Sequence, residues 1–564
     1  MKDRIYLNDN EVILNFDLVY PESRLDVVKS KAFKVFLENY IIYLAEYDTK
    51  LYDWAIQGNS PARALDALST FARQTLVFNA EEIDSPYIKD RATALQFVEG
   101  IYDFWKAHER YSVTTDKRRE SNSTTFVKAD SAHNQLIMAT FRRIEETLMG
   151  RANKIYRQQP AGTNAALALY RNESFKLGAR YDALRKVKFI DSVMLRTPMI
   201  LHPKSNKREW AFEQVYENPL DTFKGDSDEF FCFPAKVGDL TVFVYFHRDF
   251  MSNGVSLANL FELASKREAS RKPDCVLLFG NDDGKNACTF YHDDEEDIWV
   301  GSVTYSEKIS YFGYMKKTVL TLHNVAMMQK GWLPIHGAFV NITLKNGKKK
   351  GICLMGDSGA GKSETIEALK SLGNEKIKNI EVVFDDMGTF HLEDDEVYAK
   401  GTEIGAFVRL DDLDPGTPYR DMNRAIFFNP DLSNARVITP AAPYAVVTDN
   451  HNVDLFAYAN NYDEELGLHR FENLEDAKKV FVEGKRMAKG TTQEIGLSTT
   501  YFANPFGPMQ QQDICDPIID KVYDRLKQNG VFIGEIYTHL GRDPEDRDSI
   551  VKGAQELLKF IEEN

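Results

Sequence analysis

One stretch constrains this chain more than any other: Gly356-Asp357-Ser358-Gly359-Ala360-Gly361-Lys362-Ser363 fits G-x-x-x-x-G-K-[ST]. Glycines in such a turn let backbone N–H groups point inward around phosphate oxygens, and the following helix N-terminus adds partial positive charge. Lys362 then reaches the outer phosphates, and the Ser363 hydroxyl is placed to ligate Mg2+. The flanks agree, because the apolar run Ile352 to Met355 reads as a strand and Lys362 to Leu372 as a helix. A nucleotide-binding α/β layer is therefore expected, with an acidic residue at the end of a neighbouring strand. Val382-Val383-Phe384-Asp385-Asp386 supplies apolar residues followed by two carboxylates, and both are candidate metal contacts.

The rest of the composition narrows the class. A chain of 564 residues predicts two or three domains. A net charge of -15 argues against a general nucleic-acid partner, since little would neutralise phosphates. No apolar run approaches the length of a membrane span, and no apolar segment follows the N-terminal Met-Lys-Asp-Arg, so a cytoplasmic protein is expected. The five cysteines are odd in number and widely spaced, which suits a reducing compartment rather than a disulfide framework.

Three regions are expected. Residues 1–190 read as a mainly helical N-terminal region, with helical periodicity over Lys29 to Tyr47 and Ala132 to Met149. The hydroxyl-rich, basic stretch Tyr111 to Thr125 reads as a solvated loop. Residues 191–345 bring short β-rich runs such as Leu240 to Phe246 and Cys275 to Phe279. The acidic string His292 to Asp297 reads as an exposed turn, with metal ligation the weaker alternative. Residues 346–564 alternate strands and helices as a P-loop nucleotide-binding domain, ending in a helix, a strand from Val531 to Ile536 and a helix from Ser549 to Ile561.

Upstream of the P-loop lie Tyr311-Phe312-Gly313-Tyr314-Met315-Lys316-Lys317, Asn324 and Leu333-Pro334-Ile335-His336. Downstream lie Tyr398-Ala399-Lys400, Asn434-Ala435-Arg436-Val437, Met487-Ala488-Lys489-Gly490-Thr491 and Thr500 to Gly507. This ordered set, with Lys317 and His336 19 residues apart, resembles the ATP-type phosphoenolpyruvate carboxykinases. The resemblance implies an α/β fold (α+β overall) with a carboxykinase-like P-loop core, in which 191–345 is the substrate domain. It implies that Lys317, His336 and Asp386 ligate Mn2+, while Asp385 and Ser363 hold the nucleotide's Mg2+. Arg436 and Lys316 would neutralise the transferring phosphoryl group, Tyr311 would line the carboxylate pocket, and Lys400 would contact substrate. The implied cofactors are ATP (or GTP), Mg2+ and Mn2+. The implied reaction interconverts oxaloacetate and phosphoenolpyruvate plus CO2, with a small carboxylate as substrate.

Three departures keep other readings open. The arginine motif with which the family clamps substrate carboxylate is missing, leaving Arg110, Arg118 and Arg119 as compositional candidates. The P-loop, with Asp357 and Glu364, is similar to that of the HPr kinase/phosphorylases, which favours a kinase acting on a protein or small-molecule hydroxyl, with Asp385 or Asp386 as base. The nucleotide-lid segment Gly490-Thr491-Thr492-Gln493-Glu494 lacks the family's arginine. A non-enzymatic nucleotide sensor whose N-terminal region binds a protein partner is the third reading.

Overall fold

The computed structural model describes all residues except 19, 116–123, 157–159, 224, 286, 358, 411–421, 490–494 and 544–546. Ser358, Arg118, Arg119 and the Gly490–Glu494 segment thus lie outside the described residues. The chain is a mixed α/β structure that divides into two compact units. The first comprises Met1–Asn172, Lys186–Leu201 and Asp226–Phe231, and the second Glu173–Arg185, His202–Gly225 and Cys232–Asn564. A boundary near residue 345 would fall inside the second unit. Among the described residues, no helix is long and apolar enough to cross a membrane.

The first unit is helical as expected, yet it also contains strands that the periodicity concealed. Helices Lys31–Tyr47, Pro61–Val77, Arg91–Ala107 and Thr124–Met149 pack around Leu37, Tyr40, Leu68, Phe71 and Phe97. The sequence marks their starts, since Ser30 Oγ accepts the Phe33 N–H at 3.0 Å and Pro61 occupies the first turn of its helix. Strand Glu11–Asn15 pairs in parallel with Glu109–Thr115, and that strand in parallel with Ala165–Tyr170. Parallel pairs require long crossovers, and the helices provide them. The stretch expected to be a loop from Tyr111 thus begins as a buried strand through Thr115. Its hydroxyl-rich composition hid β-branched residues suited to a pleated surface.

The second unit carries two layers that matter for function. Strands Leu240–His247, Cys275–Asn281 and Ile298–Thr304 run parallel, and Cys288–Asp293 joins antiparallel. The acidic string is a turn at the end of that last strand. There Asp293 accepts the Tyr181 hydroxyl at 2.5 Å, and His292 Nδ1 lies 2.7 Å from Asp294. The helix Phe312–Gln329 is buried on nearly every side, so its sequence shows no clean polar stripe.

In the second sheet, the central strand Leu333–Leu344 lies between Lys349–Met355 on one side and Ile377–Phe384 with Met387–Glu393 on the other. Lys349–Met355 then pairs in parallel with Leu455–Asn460, which pairs in parallel with Phe532–Tyr537. The P-loop helix Lys362–Leu372 and the C-terminal helix Asp548–Glu563 cover this sheet over Ile352, Leu354, Leu369, Ile536 and Leu557.

Candidate active site

Sheet register assembles the site. Gly337 lies opposite Met355 on one neighbouring strand, and His336 lies opposite Met387 on the other. The Gly356 N–H donates to the His336 carbonyl at 3.2 Å, and the Gly337 N–H donates to the Asp386 carbonyl at 3.0 Å. The entrance of the P-loop, the histidine and the acidic pair therefore meet at one point of the sheet, although they are spread over some 50 residues of sequence.

Within the P-loop, Gly361 caps the helix at φ 94°, and a Cβ there would lie 2.7 Å from Thr538 Cβ. A left-handed backbone and close approach together require glycine at this position. Lys362 Nζ donates to the carbonyls of Gly356 at 2.8 Å and Asp357 at 3.0 Å, folding its ammonium back over the loop where phosphates would sit. Ser363 Oγ donates to Asp385 Oδ1 at 3.1 Å. Asp357 places a carboxylate at the same turn, and Arg486 Nε stands 3.0 Å from its Oδ2.

The next residue faces a different set. Asp386 accepts from Lys316, and its Oδ1 lies 3.2 Å from His336 Nε2. Lys316 Nζ also stands 3.1 Å from Glu403 Oε1. Burial pulls the Lys316 pKa down, but Asp386 and Glu403 outweigh it and hold the ammonium above its ordinary value. Burial raises the Asp386 carboxyl, yet Lys316 and His336 more than compensate and leave it well below the usual range. Glu403 gains less from the shared lysine, and burial pushes it up to about 7. Burial, only partly offset by Lys362, raises Asp385 to about 6.

His336 Nδ1 lies 2.6 Å from the Ala503 carbonyl, which can only accept, so Nδ1 carries the proton. Nε2 then faces the Asp386 carboxylate oxygen, and only a proton or a cation can join two such atoms. Phe506 borders both the histidine and Lys317. Its ring centroid is 5.4 Å from the imidazole and 5.2 Å from Lys317 Nζ. Burial first, then the positive charge of Arg208, brings the Lys317 pKa down to about 7, against a smaller opposing pull from Asp386. An amine so easily deprotonated, an imidazole with its Nε2 turned inward and an ionised carboxylate are side chains that fit a divalent transition-metal ion. Among the described residues, no three His, Cys, Asp or Glu side chains group to hold a metal, so this donor set depends on the lysine.

The 500–507 loop is fixed against this cluster. Asn324 donates to the Phe506 carbonyl at 2.6 Å and Asn504 to the Pro334 carbonyl at 3.2 Å. Phe502 and Ala503 hold positive φ values of 50° and 44°, a cost usually borne where geometry serves a site.

Phe407 organises the other wall. Lys316 Nζ lies 5.4 Å and the Arg436 guanidinium 5.5 Å from its ring centroid, and the Tyr311 ring is 6.2 Å away. Arg436 opens a strand two residues after Asn434, whose φ of 60° turns the chain. Asn434 donates to the Asn206 carbonyl at 2.5 Å, and Asn206 donates to the Ser433 carbonyl at 2.6 Å. The Tyr314 hydroxyl accepts the N–H groups of Glu209 and Trp210 at 2.6 and 3.1 Å. These bonds fix the segment that presents Arg208 beside the helix carrying Lys317.

The structure thus gathers Tyr311, Lys316, Lys317, His336, Asp385, Asp386, Arg436 and the P-loop. Lys400 instead pairs with Asp239 at 2.9 Å and lies over Trp332. Arg110 is buried in unit one, where its Nε donates to the Gly162 carbonyl and its Nη1 to the carbonyls of Trp105, Lys106 and His108. Arg208, Glu403, Arg486 and Phe407 were not singled out from the sequence. Glu403 and Phe407 stand alone in their local stretches, and Lys207-Arg208 and Lys485-Arg486 carried only a weak basic signal. No family model matches the chain, and no curated protein matches it.

Proposed function

We propose that this protein is a carboxykinase-like enzyme that couples nucleotide-dependent phosphoryl transfer to oxaloacetate decarboxylation, forming phosphoenolpyruvate and CO2. The observation that carries this reading is the adjacency of two sites through one dipeptide. Asp385 faces the P-loop serine, while Asp386 faces Lys316 and His336. A kinase serving a simple hydroxyl needs only the first of these. Lys317, His336 and Asp386 would hold Mn2+, which when bound supplies Lewis acidity at the substrate oxygen. Ser363 and Asp385 would serve Mg2+ of ATP or GTP.

The chain's own residues account for the remaining needs. Lys362 exchanges its two backbone carbonyls for phosphate oxygens when nucleotide enters. Arg486 neutralises Asp357, which would otherwise repel the phosphates. Arg436 and Lys316 offer positive charge to the phosphoryl group in flight, and they are aligned over Phe407 before substrate arrives. Arg208 takes the carboxylate-clamping role for which the sequence offered no motif, since its charge already acts on Lys317.

A second reading retains support from Glu403. A half-ionised buried carboxylate beside Lys316 would suit a general base for a hydroxyl acceptor. Phosphoenolpyruvate formation from oxaloacetate, ATP, Mg2+ and Mn2+ separates the two. Wild type is expected to turn over, and His336→Ala to lose Mn2+-dependent turnover while retaining nucleotide binding. Turnover whose Mn2+ dependence survives His336→Ala would refute the assignment.

A further inference from the structure

The first unit contains a cavity of about 160 Å³ that the proposed chemistry does not use. It lies between the helical core and the smaller cluster against the strands, with Phe36, Phe71, Phe97, Ile101, Trp105 and Ile144 among its lining. Apolar cavities that persist in a fold take apolar guests. Most polar atoms on the wall are already committed. Ser30 Oγ donates to the Val27 carbonyl, Trp105 Nε1 to Ala161 and Thr140 Oγ1 to Leu136.

His133 is the exception. It is 3% exposed and lines the cavity with its ring against Phe16, and its Nδ1 has no hydrogen-bond partner among the described residues. A buried polar atom left without a partner is costly, and natural cores rarely retain one without a purpose. Burial, aided by Arg196, lowers the imidazole pKa to about 4, so the ring is neutral at physiological pH. Among the described residues, no charged side chain lines the cavity. Arg196, the cation acting on His133, is tied to buried Asp130, so a carboxylate guest would find no counter-charge.

We propose that this cavity binds a neutral aliphatic molecule carrying one hydroxyl or carbonyl group, its chain among the phenylalanines and its polar group bonded to His133. The site lies in the first unit and the proposed chemistry in the second, so the far-UV circular dichroism of each variant is the control for folding.

The test is titration of the full chain with 1-octanol, octane and octanoate, followed by Trp105 emission and by thermal shift. Saturable 1-octanol binding is expected, at least tenfold tighter than octanoate. Ala72→Phe or Ile137→Phe, each filling the lining, should weaken octanol binding at least tenfold while the far-UV circular dichroism is unchanged. His133→Leu should erase the preference of octanol over octane. Absence of saturable binding, equal binding of octanoate, or octanol affinity unmoved in whichever filled variant retains the wild-type far-UV circular dichroism would each overturn the proposal.

Discussion

Lys316 is a buried charge shared by two carboxylates in the second unit. It is 1% exposed and serves two carboxylates, donating to Asp386 and standing 3.1 Å from Glu403. At that separation one charge pair is worth roughly 5 kcal/mol at an effective dielectric of about 20, before desolvation is counted. Desolvation removes much of this as net stabilisation, but deleting one partner leaves the others buried without a counter-charge. Lys316→Met should therefore destabilise by about 3–5 kcal/mol. The pH dependence is diagnostic. Glu403 is already raised to about 7, and loss of the ammonium raises it further. A carboxyl whose folded pKa exceeds its unfolded value binds more protons when folded, so stability falls as pH rises through that interval. The deficit of Lys316→Met should be larger at pH 8.5 than at pH 6, and Glu403→Gln in the same background should recover part of it. Urea titrations followed by tryptophan emission measure each value. A deficit below about 1 kcal/mol, or one independent of pH, would refute the buried-network reasoning.

Other consequences follow from the same geometry. Arg208→Ala should raise the KM for oxaloacetate by about 10- to 100-fold, the worth of ~1.5–3 kcal/mol for a charged hydrogen bond, with nucleotide affinity unchanged by calorimetry. Gly361→Ala must hold φ 94° against Thr538 and should cost about 1–3 kcal/mol in stability, with nucleotide binding weakened at least tenfold in equilibrium titration. His133 has a folded pKa of about 4 against the ordinary 6.5, so the unfolded chain binds the extra proton between those values. Stability present above pH 6.5 is then lost toward pH 4, by about 3 kcal/mol for this group, and His133→Leu should flatten that part of the denaturation profile. His323, lowered to about 4 by burial, adds the same sense of dependence in the second unit.

How far the sequence could be read depended on how local each feature is. The P-loop and its flanking strand and helix are local, and the observed Lys349–Met355 strand and Lys362–Leu372 helix agree with the spacing. The closing helix-strand-helix, observed as Gln512–Gln528, Phe532–Tyr537 and Asp548–Glu563, was equally legible from periodicity and an Asn-Gly turn. His336 and Asp386 were visible as residues, but that they meet depends on strand register, which no local stretch encodes. Arg208 and Glu403 were invisible for the same reason. A lone arginine or glutamate gains meaning only when distant segments bring it beside Lys317 or Lys316. Strand Glu109–Thr115 was hidden because its charged and hydroxyl residues, with only Tyr111 and Val113 apolar, read as a solvated loop.

The central claim is that the nucleotide and metal-donor halves of one site act on the same molecule. Phosphorus NMR of ATP incubated with oxaloacetate, Mg2+, Mn2+ and the protein tests this most directly, because it identifies the phosphoryl acceptor. The account predicts a growing phosphoenolpyruvate resonance matched to loss of the ATP γ-phosphate, absent in Lys362→Ala. Phosphate appearing only as inorganic phosphate, or on a protein hydroxyl, would contradict it.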